Sequence, residues 1–308
     1  MYLKTLAQYG RHFRIIQGHM TLKKVYNLGK LFILYLAGKQ VITTMPALLK
    51  VEASRKCLVN CTYCFAERAN KFFPKRTYFE LLDKLHPWIF EVSLYNIGEP
   101  LWCEDLIEFI AYAHQRNVST ALSTSLSLEK SEQYWNDLVV AGLDYMVVAL
   151  DGTTAEVYNK YRVNGDFPLV MKNLHSILKA KKQHNSQITI EWQMIEFEWN
   201  RHEIAEARRM ASELGMVFRL IKEAKLPRED AQKKAAYVRK RNCLLPYLVY
   251  MVNSYGEVTP CCKYFGPEMK IGDGFENSFE ENWNNEAIRK VRDSELIKSR
   301  PICCKCNE

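Results

Sequence analysis

Three cysteines fall within eight residues, in Cys57-Leu-Val-Asn-Cys61-Thr-Tyr-Cys64. Three thiolates in one short loop can hold three irons of a cubane and leave the fourth open, unlike the four-cysteine set of an electron-carrier cluster. An open iron can bind and reduce a substrate or cofactor. The competing readings are a zinc knuckle or free buried thiols. Zinc takes four ligands, and this loop holds no histidine to complete them. Further cysteines are bunched toward the C-terminus, at Cys243, Cys261-Cys262 and Cys303-Cys304-x-Cys306. Such grouping suits metal ligation and points to a reducing cytosol rather than to disulfides. Cys103 stands apart and reads as an ordinary, partly buried residue.

The elements that would position these groups alternate. Strands are predicted at 48–53, 90–95, 118–122, 145–150, 187–194 and 216–221, from β-branched and apolar runs. Between them, helical spacing is read at 78–87, 104–116, 129–141, 169–182 and 201–214. Six β-then-α units imply right-handed crossovers and a parallel sheet. Six is short of a complete eight-unit barrel, so the expected fold is α/β, an open partial (β/α)6 TIM-like barrel. The cysteine loop directly follows the first strand, where α/β barrels place their active-site loops. Past residue 221 the pattern changes to a charged, helical linker over 222–241. A hairpin about the turn Ser254-Tyr255-Gly256-Glu257, a short helix around 286–293 and the cysteine tail complete it. The division expected is 1–46, a basic helical extension; 47–225, the barrel; and 226–308, a small α+β domain.

With Tyr63 as the aromatic before the third cysteine, the loop resembles the CxxxCxΦC hallmark of the radical S-adenosylmethionine (SAM) superfamily. That resemblance implies a [4Fe–4S] cluster whose open iron chelates SAM, reductive cleavage to a 5′-deoxyadenosyl radical, and hydrogen abstraction from substrate. Asn96-Ile97-Gly98-Glu99-Pro100 resembles the family's GGEP segment, with Ile97 replacing the first glycine. Gly98 would let the backbone approach the methionine moiety, and Glu99 would pair with its ammonium, beside Pro100; a helix-capping turn is the plainer reading. At the third strand end, Ser123 and Ser125 would bond the cofactor's ribose or carboxylate, or merely form a Ser/Thr turn. Asp151-Gly152 with Tyr158 to Arg162 resembles the family's S-x-D-G … Y-x-x-x-R stretch, with Ala149 replacing the serine. Asp151 would otherwise cap a helix, and Arg162 would otherwise form a surface ion pair. On the fifth strand Glu191 and Gln193 share one face, opposite Trp192 and Met194. Gln193 is a candidate cofactor contact and Glu191 a candidate substrate contact; a buried, hydrogen-bonded glutamine is the plainer alternative.

The C-terminal cysteines resemble the SPASM/twitch auxiliary-cluster domains of the same superfamily. That implies one auxiliary [4Fe–4S] cluster on Cys243, Cys261, Cys303 and Cys306, with Cys262 and Cys304 as alternates; a structural zinc site is the competing occupant.

The net charge of +8 resides wholly in residues 1–50, which carry eight Lys or Arg and no Asp or Glu. Leu22, Val25, Tyr26, Gly29, Phe32, Ile33 and Leu36 follow helical spacing. The plain expectation is a helical pair packed on the barrel's outside with its lysines solvated. The sharper one is contact with an anionic membrane or substrate. No apolar run reaches the ~20 residues of a membrane span, and nucleic acid is not an expected partner. The composite expectation is a cytoplasmic radical enzyme, peripheral at the inner membrane surface under the sharper reading of its N-terminal segment, acting on a sugar, cyclitol or nucleotide-like molecule. It would be reduced by flavodoxin or ferredoxin. A peptide maturase is the alternative within enzymology, and an electron-transfer or zinc protein the alternative outside it.

Overall fold

The computed structural model describes residues 16–64, 67–222, 243–261 and 269–293. Six strands run parallel and in chain order: β1 (Leu48–Val51), β2 (Glu91–Ser93), β3 (Ser119–Thr124), β4 (Tyr145–Ala149), β5 (Thr189–Glu196) and β6 (Val217–Lys222). After the helix α1 (Leu22–Leu36), described below, the connecting helices are α2 (Lys75–Leu85), α3 (Leu106–Gln115), α4 (Glu132–Val140), α5 (Ala155–Tyr161), α6 (Phe167–Gln183) and α7 (Ile204–Glu213). All six expected strands are present, displaced by a residue or two at their ends. Helix α5 escaped the sequence reading because seven residues of mixed polarity show too little periodicity. The predicted linker helix lies largely outside the described residues.

The strands' two faces differ in kind. On β5, Ile190, Trp192 and Met194 are buried in the main core, where Trp135, Leu174 and Ile177 supply the helical side. Glu191 and Gln193 take the opposite parity and face the barrel lumen. Helix starts are fixed locally: Ser131 accepts from Tyr134 N at α4, Thr154 from Val157 N at α5, and Asp166 from Leu169 N at α6.

The C-terminal region continues the same sheet. After α8 (Leu245–Leu248), strand β7 (Val249–Val252) pairs parallel with β1, from Leu48↔Val249 to Val51↔Val252. Strand β8 (Glu257–Thr259) returns antiparallel to β7, and β9 (Gly272–Asp273) lies antiparallel on β8. The sheet order is β9-β8-β7-β1-β2-β3-β4-β5-β6. Gly256 turns the β7–β8 hairpin with φ +83, and a Cβ there would strike the Phe275 ring at 2.6 Å. Two short helices, α9 (Phe279–Trp283) and α10 (Glu286–Arg292), lock onto the segment that leads into β1. Asn284 exchanges hydrogen bonds with the Ile42 backbone, and Trp283 Nε1 donates to Thr44 O at 2.8 Å.

The N-terminal helix departs from expectation in the face it buries and in one of its lysines. Among the described residues this region holds one helix, α1, after a short 3-10 turn at Gln17–His19; residues 1–15, which would supply a second helix, lie outside them. The apolar stripe faces outward instead of packing on the barrel. The side chains turned inward are Lys24, Asn27 and Leu31. The cause is that the barrel floor offers α1 polar backbone groups. Lys24 Nζ donates to His19 O at 3.0 Å and to Asn117 O, while Asn27 exchanges two bonds with the Met45 backbone. Lys24 is only 1% exposed, so not every lysine here is solvated.

Burial pulls the Lys24 ammonium from 10.5 down to about 8. Between those values the folded chain holds fewer protons than the unfolded one, so folding stability should rise as pH climbs from about 8 toward 10.5. Below about 8 the whole cost of the buried charge is present. Denaturation at a series of pH values should show that rise in the natural chain and a flatter profile in Lys24→Met.

Candidate functional site

The groups singled out by sequence gather at the C-terminal ends of β1 to β5. Cys57 and Cys61 are half-buried, Cys64 is exposed, and all three are free thiols. Cys64 N donates to Cys61 O, closing a tight turn, and the Cys57 thiol donates to Val59 O at 3.5 Å. Burial, and then the nearby Glu99 carboxylate, push the Cys57 thiol up to about 12. Three soft donors in one turn, none spent on a disulfide, fit an iron–sulfur cluster, whose binding would displace those protons. Among the described residues no three His, Cys, Asp or Glu side chains yet converge on one point. Of the C-terminal set, Cys243 precedes α8 and Cys261 follows β8, so the antiparallel hairpin brings both to the same end of β7. Cys262, Cys303, Cys304 and Cys306 lie outside the described residues.

Arg162 anchors the loop from outside. Residues Asn60–Cys61 pair antiparallel with Arg162–Val163, and Thr62 N donates to Tyr161 O. Arg162 Nη1 reaches Cys61 Sγ at 3.2 Å while its Nε donates to Asp151 Oδ2 at 2.6 Å. Asp151 is fully buried, and its other oxygen accepts from Ile195 N at 2.7 Å. This is therefore a buried pair, not a surface one, and Asp151 caps no helix, since Thr154 caps α5. Tyr63 leans toward Tyr161 and Phe197, with ring centroids 6.2 and 5.9 Å away.

The Gly98-Glu99-Pro100 turn closes on the same loop. A Cβ at Gly98 would lie 2.1 Å from Ser54 O and 2.7 Å from the Arg55 backbone, so only glycine allows the approach. Glu99 N donates to Lys56 O. Its carboxylate accepts from Leu101 N through Oε1, and through Oε2 from Ser125 N and Oγ at 2.8 and 2.7 Å. Burial nonetheless holds Glu99 above the ordinary carboxylate value. Glu99 and Ser125, considered separately in sequence, thus form one unit, with Pro100 buried beside them. Ser123 is half-buried on the lumen face of β3, and Asn96 Nδ2, just ahead of the turn, is buried without a hydrogen-bond partner. Such an unused donor fits an oxygen-bearing cofactor group.

The lumen below is closed and charged. Ala121, Tyr145 and Val147 form a cluster against Ile16 and Tyr95, which closes the floor. Glu191 is 2% exposed and accepts from the Tyr145 hydroxyl at 2.6 Å, with Arg219 Nη1 3.7 Å from its other oxygen. That depth makes Glu191 part of the floor. Gln193 and Arg219, paired in register and half-buried, stand nearer the opening, and Lys50 Nζ lies 4.2 Å over the Tyr95 ring.

Glu52 was missed by sequence reading. Fully buried at the end of β1, it accepts from Ile97 N and from Ser254 N and Oγ, and pairs with Arg55 at 3.2 Å. A carboxylate closing the apolar run Leu48-Leu49-Lys50-Val51 was its available signal. Asn200 and Glu203 were missed too: Asn200 binds Asp151 O and Ile195 O, and Glu203 holds Thr153 N and Thr154 Oγ1.

Residues 51–190 match the model of the radical SAM superfamily, and residues 243–307 match SPASM, an iron–sulfur cluster-binding domain. Two curated relatives come from Methanosarcina barkeri (strain Fusaro / DSM 804). An AdoMet-dependent heme synthase is 23% identical, covering 85% of this chain and 89% of that protein. An Fe-coproporphyrin III synthase is 27% identical over 57% of this chain, but the match spans only 41% of its length. Among solved structures, Streptococcus suis SuiB bound to S-adenosylmethionine superposes with TM-score 0.66 at 14% identity, over 95% of this chain and 79% of that one. BtrN in complex with AdoMet and 2-DOIA gives 0.53 at 16% identity, over 87% and 95%. At such identities these structures establish the fold alone.

The Arg162–Asp151 pair yields a direct test. Arg162→Met leaves a buried carboxylate unpaired and should lower stability by about 3–5 kcal/mol. Adding Asp151→Asn should recover more than half of that loss in anaerobic chemical denaturation.

Proposed function

Since the chain belongs to the radical SAM superfamily and carries a C-terminal SPASM iron–sulfur cluster-binding domain, we propose that this radical SAM enzyme abstracts a hydrogen atom from a compact, anionic small molecule held in the barrel lumen. The observation that carries this reading is the lumen itself. Its floor is sealed by Ile16, Ala121, Tyr145 and Val147, and its walls bear Lys50 and Arg219. Glu91 and Glu191 lie buried on the same inner faces, and a space closed at its floor with Lys50 and Arg219 nearer the opening suits a small acid better than an extended chain. The heme synthase likeness agrees with a small-molecule substrate.

Cys57, Cys61 and Cys64 would hold a [4Fe–4S] cluster, and the chemistry it would supply is the one-electron reduction of S-adenosylmethionine to methionine and the 5′-deoxyadenosyl radical. The protein's own part is positioning. Gly98 lets the turn close on the cysteine loop, and the Glu99 carboxylate, held by Ser125 and Leu101 N, has lone pairs left to accept the cofactor's ammonium. Arg162 fixes Cys61, Asn96 and Ser123 offer donors to the cofactor, and Gln193 reaches it from β5. Tyr63 covers the loop with Tyr161 and Phe197. Cys243, Cys261, Cys303 and Cys306, with Cys262 and Cys304 as alternates, would hold a single auxiliary [4Fe–4S] cluster, which would supply an acceptor for the electron left on the substrate after hydrogen abstraction. A flavodoxin or ferredoxin in a reducing cytoplasm would supply the electron that reduces the cluster of the first loop, while the substrate's first electron leaves with the abstracted hydrogen atom.

Anaerobic reconstitution should give about eight irons per chain for two cubanes and about four if the C-terminal set takes zinc. About twelve would mean two auxiliary clusters. Cys57→Ala should abolish 5′-deoxyadenosine formation from SAM under reduction, whereas Cys243→Ala should lower the iron content yet retain it. A natural chain that makes none with any reductant overturns the enzymatic reading. Deuterium carried from labelled small acids into 5′-deoxyadenosine would identify the substrate, and label arriving only from peptides would replace this reading with a maturase.

A further inference from the structure

Helix α1 is built inside out. Its inward face mixes polar anchors with core packing: Lys24 bonds the His19 and Asn117 carbonyls, Asn27 bonds Met45, and Leu31, Leu34 and Tyr35 pack on the main core, while His19, just before the helix, bonds Asp144 and Asn117. Its outward face is a line of apolar residues at spacings of four, three, four and three: Leu22, Tyr26, Gly29, Ile33 and Leu36. The four with side chains are 91%, 70%, 67% and 80% exposed, and a Cβ placed on Gly29 would meet nothing within 4 Å. A scattered surface leucine requires no explanation, but an unbroken apolar stripe along a whole helix marks a contact surface.

Charge decides what the stripe meets. Lys30 and Lys39 are exposed beside it, and Lys23, also exposed, lies with its Nζ 4.2 Å over the Trp88 ring. Residues 1–50 hold eight basic and no acidic residues; of the eight, Lys24 is buried and Lys50 lies in the lumen. A second copy of the chain would bring the same uncompensated positive charge to the contact, and the two faces would repel. An anionic bilayer offers the opposite charge together with an apolar layer for the stripe. We propose that α1 lies in the plane of an anionic membrane surface, its apolar line sunk between headgroups and its lysines on lipid phosphates. Fifteen residues make a helix roughly 22 Å long, and among the described residues no helix is long and apolar enough to cross a membrane, so this is an in-plane contact.

The contact also fixes an orientation. Asn117, Asp144 and Met45 all lie just before strands, at the barrel's N-terminal end, whereas Cys57, Glu99 and Asp151 follow strands at the other end. The membrane face is therefore the floor side, and the candidate site opens away from the lipid.

Co-sedimentation of the full, reconstituted chain with vesicles tests this. The chain should pellet with vesicles of phosphatidylcholine and about one-third phosphatidylglycerol, stay in solution with pure phosphatidylcholine, and be released by about 1 M salt, where screening is nearly complete. Leu22→Ser, Tyr26→Ser, Ile33→Ser and Leu36→Ser combined should weaken binding to the anionic vesicles about a hundredfold or more, while melting temperature and 5′-deoxyadenosine formation stay unchanged. Lys23→Gln with Lys30→Gln should weaken it less and reduce its salt dependence. No pelleting with anionic vesicles overturns the proposal. So does binding that survives the four substitutions, a melting temperature lowered by them, or a dimer in solution that they dissolve.

Discussion

A carboxylate without exposed surface needs several donors at once, and Glu52 obtains them from three separated segments. Arg55 leads into the cysteine loop, Ile97 N belongs to the turn that carries Glu99, and Ser254 sits at the tip of the β7–β8 hairpin. None of the three can shift without leaving a buried charge short of partners. The tilt of the cysteine loop, the approach of Gly98 to Ser54 and the seat of the C-terminal hairpin are thus settled by one side chain. Tyr255 tightens the same corner, with the Arg55 guanidinium 5.3 Å from its ring.

A second buried charge performs the matching task on the far side. Asp151 joins Arg162 to the backbone of Ile195, so the ends of β4 and β5 and the strand edge at Cys61 move as one body. Arg162 then presents a guanidinium to Cys61 without a conformational search. The two carboxylates hold the cysteine loop from opposite flanks, and the loop needs little regular structure of its own.

Much of this was legible in the sequence because two strong periodicities agreed. Six apolar runs spaced by helical patterns left little choice but parallel strands, and the position of Cys57 after the first run fixed its end of the barrel. Parity along Glu191-Trp192-Gln193-Met194 was readable for the same reason. What failed was everything that depends on who pairs with whom. The apolar positions of α1 were real, but periodicity gives the direction of a stripe and not its partner. Only the carbonyls of His19 and Asn117 explain why Lys24 went in and Leu22 stayed out. The plainer alternative for Arg162, a surface ion pair, failed because its spacing says nothing of Asp151's burial. Glu52 drew no attention because its partners are up to two hundred residues away.

The pairing of β1 with β7 bears on how the molecule is made. The first barrel strand to be synthesised has β2 on one side, but on the other it must wait until Val249–Val252 has been added. Until then one edge of β1 presents unpaired backbone amides and carbonyls, directly beside the cysteine loop. A nascent chain in that state is both an aggregation template and a pair of open jaws around three thiols. Closure of the sheet therefore waits on chain growth, with long-range pairing the slow step. A product terminated before residue 249 would carry Cys57, Cys61 and Cys64 and still lack the strand that keeps their scaffold from pairing with a neighbour.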